Sequence, residues 1–276
     1  MIDVNQSELG KKSQYIAEYN PDILFPISRQ IKRDEIGIQA NQIPFYGYDC
    51  WNHYEVSWLN SRGKPQIAIA EIIYDCHSPN IIESKSLKLY FNSFNNTKIE
   101  NLEKLTTIIK KDLSTRIGDE VQIKIFNLQE AQTYYQCKVL EGDCLDDLDI
   151  SMETFDLNPQ ILKTESMIIH EILYSNLLKS NCLVTFQPDW GSIQIEYQGP
   201  KIHRESLLQY ILSFRNHNEF HEQCIERIFI DILKYCKPMN LSVMGRYTRR
   251  GGLDINPFRT TDPSQNIKFN QRLIRQ

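Results

Sequence analysis

No two of the seven cysteines (50, 76, 137, 144, 182, 224 and 236) stand in CxxC spacing, and their number is odd. That argues against both a disulfide framework and a zinc ribbon. Only 11 glycines are spread over 276 residues, and no GxGxxG follows a strand-like run, so any dinucleotide bound here is not held by a Rossmann domain. The formal net charge is −4, without the basic excess of a nucleic-acid surface. The amino terminus, MIDVNQSELGKKSQY, lacks an apolar stretch of signal-peptide length, and no other run approaches a membrane span. With 41% hydrophobic and 24% charged residues, the expectation is a soluble, reduced, cytoplasmic protein without a nucleic-acid or membrane partner.

What is present is patterned. Tyr54–Leu59 and Gln66–Tyr74 are strand-like runs joined by the turn SRGKP, which predicts a hairpin. Leu87, Tyr90, Phe91 and Phe94 fall on one face of a helix starting near Ser84 or Ser86, and Leu105, Ile108, Ile109 and Leu113 on one face of a second over 101–115. Strands are expected at 120–125 and 134–140. The acidic stretch from Gly142 to Asp156 reads as a solvated connector rather than a cation site. Beyond it the order returns: a strand at 168–178, a strand at 192–198, helices at 204–214 and 219–236, and a strand at 241–247. The periodicity of 168–178 would also suit a helix; the parallel with the first half favours a strand. Strand, strand, helix, helix, strand occurs twice, so the chain is read as an α+β protein built by tandem duplication, with modules 1–150 and 151–276.

Four clusters carry chemistry: ESKS (83–86), SNCLVTFQPDWGS (180–192), HNEFHEQC (217–224) and RYTRRGGLDINPF (246–258). In the second, Cys182 precedes Asp189, with Gln187-Pro188 and Trp190-Gly191 expected to mark a turn. A thiol beside an acid suits covalent chemistry with local proton supply. The plain alternative is a buried small residue and a turn former. In the third, His221 and Glu222 open a long helix, where the dipole keeps a carboxylate ionised. Such a carboxylate can accept two parallel N–H bonds from a guanine-like edge, or simply cap its own helix. In the fourth, arginines before Gly251-Gly252 suit phosphate oxygens, or form a solvated basic turn.

Taken together, in this order, ESKSLKLYFNSF, SNCLVTFQPDWGS, HNEFHEQC and YTRRGGLDINP resemble the NADPH-dependent 7-cyano-7-deazaguanine reductases, the nitrile reductases of queuosine biosynthesis, in their long two-module form. The resemblance covers essentially the whole chain. Phe258 alone stands where a larger aromatic is expected. The resemblance implies tandem tunnelling-fold (T-fold) modules, antiparallel sheets with helices on one face, assembled as a homodimer or larger ring. It implies Cys182 as nucleophile on the nitrile carbon and Asp189 as proton donor, with His221 beside them. It assigns Ile82, Glu83, Ser84, His221 and Glu222 to a small deazapurine substrate, and Ser84, Lys85, Arg250 and Gly251 to NADPH, with no metal.

These roles make physical demands. A free thiol is mostly protonated at neutral pH, so its attack must be coupled to proton transfer or its pKa lowered. Asp189 must hold a proton to act as an acid, so an apolar setting that raises its pKa is expected, with Trp190 a candidate wall. Two other readings use the same residues. A cysteine-dependent nitrile hydrolase would let water attack the same thioimide, and a purine- or pterin-binding T-fold protein, zinc-dependent or not catalytic at all, would not form it.

Overall fold

A computed structural model describes residues 15–265 and 272–276. It is a mixed α+β structure whose chain divides into two compact units. Among the described residues, the first comprises 15–32, 49–136 and 249–254, the second 33–48, 137–248, 255–265 and 272–276. No helix among the described residues is long and apolar enough to cross a membrane.

In the first unit, β1 (Pro26–Ser28) pairs antiparallel with β4 (Asn80–Ile82). The hairpin strands β2 (Tyr46–Leu59, here from Asp49) and β3 (Pro65–Asp75) are joined through the turn Asn60–Lys64, where Gly63 takes φ +83°. The antiparallel partner of β3 on its other side is β5 (Val121–Phe126), in the register Ile69↔Phe126 to Tyr74↔Val121. The expected strand at 134–140 is absent. A capping box, Asn127 with Glu130, instead starts helix α4 (Leu128–Tyr134) just before it. Two longer helices lie between β4 and β5: α2 (Ser84–Asn92) and α3 (Leu102–Ile117). Asn101 caps α3 by accepting from Lys104 N, and Gly118, at φ +81°, ends it. Its Leu105, Ile109 and Leu113 are buried, as the periodicity predicts.

In the second unit, β7 (Thr164–Ser175) confirms the strand expected near 168–178 and pairs antiparallel with β9 (Pro188–Ile202). A two-residue strand, β6 (Asp143–Cys144), runs parallel to β7. The acidic stretch, expected as a solvated connector, lies inside this unit and is tied into it: Asp146 accepts from Ser175 Oγ and Asn176 N. The short β8 (Lys179–Asn181) also pairs with β9. Helices α5 (Arg204–Ser213) and α6 (His221–Cys236) follow, then β10 (Asn240–Tyr247) on β9, and β11 (Leu253–Thr260, here from Ile255) on β10. One helix, α1 (Gln30–Glu35), straddles the segment boundary at residue 32.

The likeness of the two halves extends to individual side chains. Tyr90 stands six residues into α2 and its hydroxyl donates to Asp112 Oδ2 at 2.7 Å, ten residues into α3. Tyr210 stands six residues into α5 and donates to Asp231 Oδ2 at 2.6 Å, ten residues into α6. Each tyrosine meets a phenylalanine four residues on edge-to-face, Phe94 at 5.2 Å and Phe214 at 5.3 Å. Each also accepts a bond at its carbonyl from a serine three residues on, Ser93 or Ser213. Even the Asn-Pro turns before β1 and β7 match, with Asn20 and Asn158 each capping a short 3-10 turn.

The core of the second unit contains a buried ion network. Glu226 of α6 accepts from Arg33 Nε and Nη2 at 2.9 and 2.7 Å and from Arg259 Nη2 at 2.9 Å. Arg259 also donates to the carbonyls of Tyr48 and Phe258. Two guanidinium groups and one carboxylate out of water are tolerable because nearly every donor finds an acceptor.

Candidate active site

Asp189, expected in a turn, lies in β9, which begins at Pro188 rather than at Ser192. The turn sits earlier: Cys182 N donates to Gln187 O at 2.8 Å, Phe186 N to Cys182 O at 3.1 Å, and Phe186 takes φ +57°. In the hairpin so formed, Ser180 pairs with Asp189 and Asn181 with Pro188. Side chains alternate across a strand, so Ser180, Cys182 and Asp189 share the buried face, at 0%, 8% and 4% exposure. Cys182 is the diagonal neighbour of Asp189, a relation that sets Cβ atoms within roughly 7–8 Å. The same alternation turns Trp190 outward. It is 39% exposed, beside the Arg215 guanidinium, and is not the wall expected for Asp189.

Helix α6 brings its first turn to this hairpin. Asn181 N donates to His217 O and Glu219 N to Asn181 O, so the segment leading into α6 is laced to the residue before Cys182. Glu219 is buried, which opposes ionisation, yet His217 and Arg227 together hold its carboxyl below the usual range. His221 Nε2 then lies 3.5 Å from Asp189 Oδ2. The His221 ring stacks on Tyr247 of β10, centroids 3.9 Å apart and planes 23° off parallel. Glu222, next in the helix, is 2% exposed. The N-cap, Phe220, makes no side-chain capping bond.

This corner concentrates unsatisfied polarity. Thr185 Oγ1, both His221 ring nitrogens and both polar atoms of the Gln223 amide are buried without a well-aligned hydrogen bond among the described residues, while the Tyr247 hydroxyl has only Ser180 and the Cys224 thiol beside it. Each such group costs about 1–3 kcal/mol, and a native fold concentrates them where a ligand is to be met. Below them the Cys224 thiol is pushed up to about 12 by burial, with the Glu219 charge adding to it, so it stays protonated. Of these groups, Thr185, Gln223 and Tyr247 carry no sequence signal beyond their neighbourhood.

The first unit holds a second cluster. Glu83 is the N-cap of α2: its carboxylate accepts from Lys85 N at 2.6 Å and Ser86 N at 2.7 Å. Burial raises its pKa, against those bonds and the charges of Lys88 and Lys85. Ile82 is buried in the β4 ladder opposite Pro26. Ser84 and Lys85 form the first turn of α2. Arg250 and Leu253 exchange backbone bonds around Gly251 and Gly252, at φ +56° and +71°. Positive φ at both central residues is the geometry of a tight hairpin turn that only such residues enter freely. A Cβ on Gly251 would come 3.3 Å from the Lys88 stem, and one on Gly252 2.4 Å from Glu55 Cδ. Arg249 lies over the Tyr54 ring at 4.6 Å. His53 lies buried nearby, stacked on Phe91. Burial lowers its pKa to about 3 although the Gly252 backbone works the other way. A backbone turn stripped of Cβ atoms, with Arg250 in it and Lys88 beside it, fits a phosphate-bearing cofactor, with Glu55 flanking Gly252. Elsewhere, Asp75, Cys76 and His77 bring three potential metal ligands together, but Asp75 Oδ1 there already accepts from His77 N.

Comparison with known proteins places these clusters. A family model described as the N-terminal part of the nitrile reductase 7-cyano-7-deazaguanine reductase matches residues 15–125, and one described as QueF-like protein matches 188–266. The chain belongs to the 7-cyano-7-deazaguanine reductase family. A member from Legionella pneumophila (strain Lens), named NADPH-dependent 7-cyano-7-deazaguanine reductase, is 60% identical over 99% of this chain and 95% of its own length. Proteins of the same name from Cupriavidus pinatubonensis and Hydrogenovibrio crunogenus are 56% and 50% identical, over 92% and 99% of this chain and 92% and 97% of their own. The two family matches separate the clusters: ESKS falls in the first, whereas Asp189, His221, Glu222, Arg250 and Gly251 fall in the second. Cys182 lies just ahead of the second match.

Proposed function

We propose that this chain is a nitrile reductase that converts 7-cyano-7-deazaguanine to 7-aminomethyl-7-deazaguanine with two NADPH, in tRNA queuosine biosynthesis. The observation that carries this reading is the shared buried face of Cys182 and Asp189 with His221 Nε2 3.5 Å from the acid, in a member of this family. Cys182 Sγ adds to the nitrile carbon, one carbon–nitrogen π bond becomes an N–H bond as Asp189 gives up its proton, and the proton lost from the thiol returns to the Asp189–His221 pair. The product is a thioimide, whose C=N bond accepts hydride where the nitrile resists it. NADPH, when bound, supplies a hydride at each of two reductions. The first hydride, with a proton on nitrogen, leaves single C–N and C–S bonds; the C–S bond then breaks, Cys182 leaves as thiol and a C=N bond re-forms, which the second hydride and a proton reduce to the amine.

The remaining residues position and exclude. Glu222, held in the first turn of α6, accepts two parallel N–H bonds from the deazaguanine ring and so discriminates against rings lacking those donors. His221, against Asp189, keeps the acid's proton in line with the substrate. Ile82, Glu83 and Ser84 are assigned to the substrate as well, and Ser84, Lys85, Arg250 and Gly251 take the cofactor phosphates. A dry hairpin face keeps water from the intermediates. The repeated element order and matching Tyr–Asp ties support tandem T-fold modules, and a homodimer in the cytoplasm without nucleic acid in the site completes the reading.

The test is mass spectrometry of protein mixed with the nitrile in the absence of NADPH. A covalent adduct is expected on the wild-type chain and none on Cys182→Ala, with nitrile-dependent NADPH oxidation falling below detection in the variant. An active Cys182→Ala protein would remove the proposed nucleophile.

A further inference from the structure

We propose that Tyr247 is the positioning residue for His221, a gauge that sets the imidazole against Asp189 by ring contact instead of by a hydrogen bond. A functional histidine is usually oriented by a bond from one ring nitrogen to a carbonyl or carboxylate. Here neither His221 nitrogen has a well-aligned bond among the described residues, and the approach to Asp189, at 3.5 Å, is loose. What touches the ring is the face of Tyr247, at 3.9 Å and 23°. Offset stacking of this kind restricts a ring to a plane while leaving both nitrogens available.

Tyr247 also reads the position of the acid. It pairs with Gly191 across β9 and β10, two residues beyond Asp189 on the same strand. A Cβ on Gly191 would meet the Tyr247 ring at 3.1 Å, so the missing side chain is what lets the ring lie against β9. One aromatic ring therefore carries His221 on its face and rests its edge on the strand that bears Asp189. The hydroxyl end is buried close to Ser180 and Cys224, the former on the hairpin face shared with Cys182. Tyr247 is fully buried, so the ring cannot swing into solvent.

The inference rests on the reductase reading for its kinetic arm only. Replacing the ring by an aliphatic side chain, Tyr247→Leu, should free the imidazole and lower kcat by about 100-fold, the scale of an ångström misplacement. KM for the nitrile should change by less than about threefold, the ordinary mark of a step lost in the transition state and not in binding. Tyr247→Phe, which keeps the ring and drops the hydroxyl, should restore most of kcat. Circular dichroism establishes that each variant is folded. A folded Tyr247→Leu protein with wild-type kcat overturns the proposal, as does a Tyr247→Phe protein as slow as the leucine variant. If Tyr247→Leu does not fold, histidine-selective NMR of the wild type decides. The His221 ring protons, assigned by their loss in His221→Asn, should lie upfield of free imidazole because they sit in the Tyr247 ring current. Unshifted resonances reject the stack. A wild-type protein that shows the shift but no nitrile-dependent NADPH oxidation would leave the stack in place and refute the reductase reading instead.

Discussion

Glu103 and Glu222 hold the same place in the two units: each is the second residue of a 16-residue helix that follows the shorter helix of its unit. Glu103 is exposed, whereas Glu222 is 2% exposed. Their helices share the Tyr–Asp tie ten residues in, so the scaffold is common and the difference is confined to the ends. α3 obeys local rules, with an asparagine cap in front and a left-handed glycine behind. α6 has no side-chain cap in front, and behind it Lys237 takes the left-handed conformation at φ +50° that glycine usually fills. Departures from local preference persist where something else is gained. In α6 they coincide with His221, Glu222 and the orphaned Gln223 amide.

The largest way to test that contrast is through the sixth residue of each helix. In α6 it is Glu226, between Arg33 and Arg259, and in α3 it is the exposed Thr107. Glu226→Ala strands two guanidinium groups out of water and should destabilise folding by about 3–5 kcal/mol, the range for breaking a buried ion pair from one side. Thr107→Ala should stay within about 0.5 kcal/mol. Urea titrations of both variants measure the difference. Equal midpoints would mean that α6 is no more specialised in its core contacts than α3.

That network shows what could be read from residues alone and what could not. α3 is legible end to end because cap, periodicity and terminal glycine all agree. β2 announces itself only over Tyr54–Leu59, where burial alternates. Tyr48–His53 is buried on both faces, so the period-two signal vanishes. β11 was hidden more thoroughly. All eight residues are buried, yet Asp254, Asn256, Arg259 and Thr260 are polar and Pro257 interrupts them, so the stretch resembles a loop. Asp254 is satisfied by Asn52 and Tyr54, and Arg259 by Glu226, partners some 200 residues and 33 residues away in sequence. In the site, residue types pointed to Cys182, Asp189, His221 and Glu222. The pairing of Ser180 with Asp189, which brings the thiol and acid to one face, depends on where the turn falls, and Pro188 invited placing it four residues late.

A smaller effect is expected from Glu222 itself. Glu222→Gln keeps size and shape but removes the charge that two ring N–H donors would meet. Hydrogen bonds to a charged group contribute about 1.5–3 kcal/mol, so kcat/KM for the nitrile should fall by about 100-fold, mostly through KM. Glu103→Gln, at the same helical position, should leave kinetics unchanged. Steady-state assays of the pair at fixed NADPH measure this directly. A Glu222→Gln protein within threefold of wild type would mean that its burial serves packing, and the contrast between the two glutamates would lose its functional content.

The smallest effect probes α3 and sharpens the contrast from its structural side. Asn101 satisfies one of the helix's otherwise unpaired N–H groups by accepting from Lys104 N at 2.9 Å. Asn101→Ala removes that acceptor, and loss of such a cap costs about 1 kcal/mol. Water can reach the exposed amide, which keeps the cost near that figure. Because α3 carries no residue of either polar cluster, kcat and KM should not move while the urea midpoint falls. If Asn101→Ala instead slowed the reaction without a matching loss of stability, the capped helix would be contributing to chemistry. Conformity to local rules would then no longer distinguish scaffold from site in this duplicated fold.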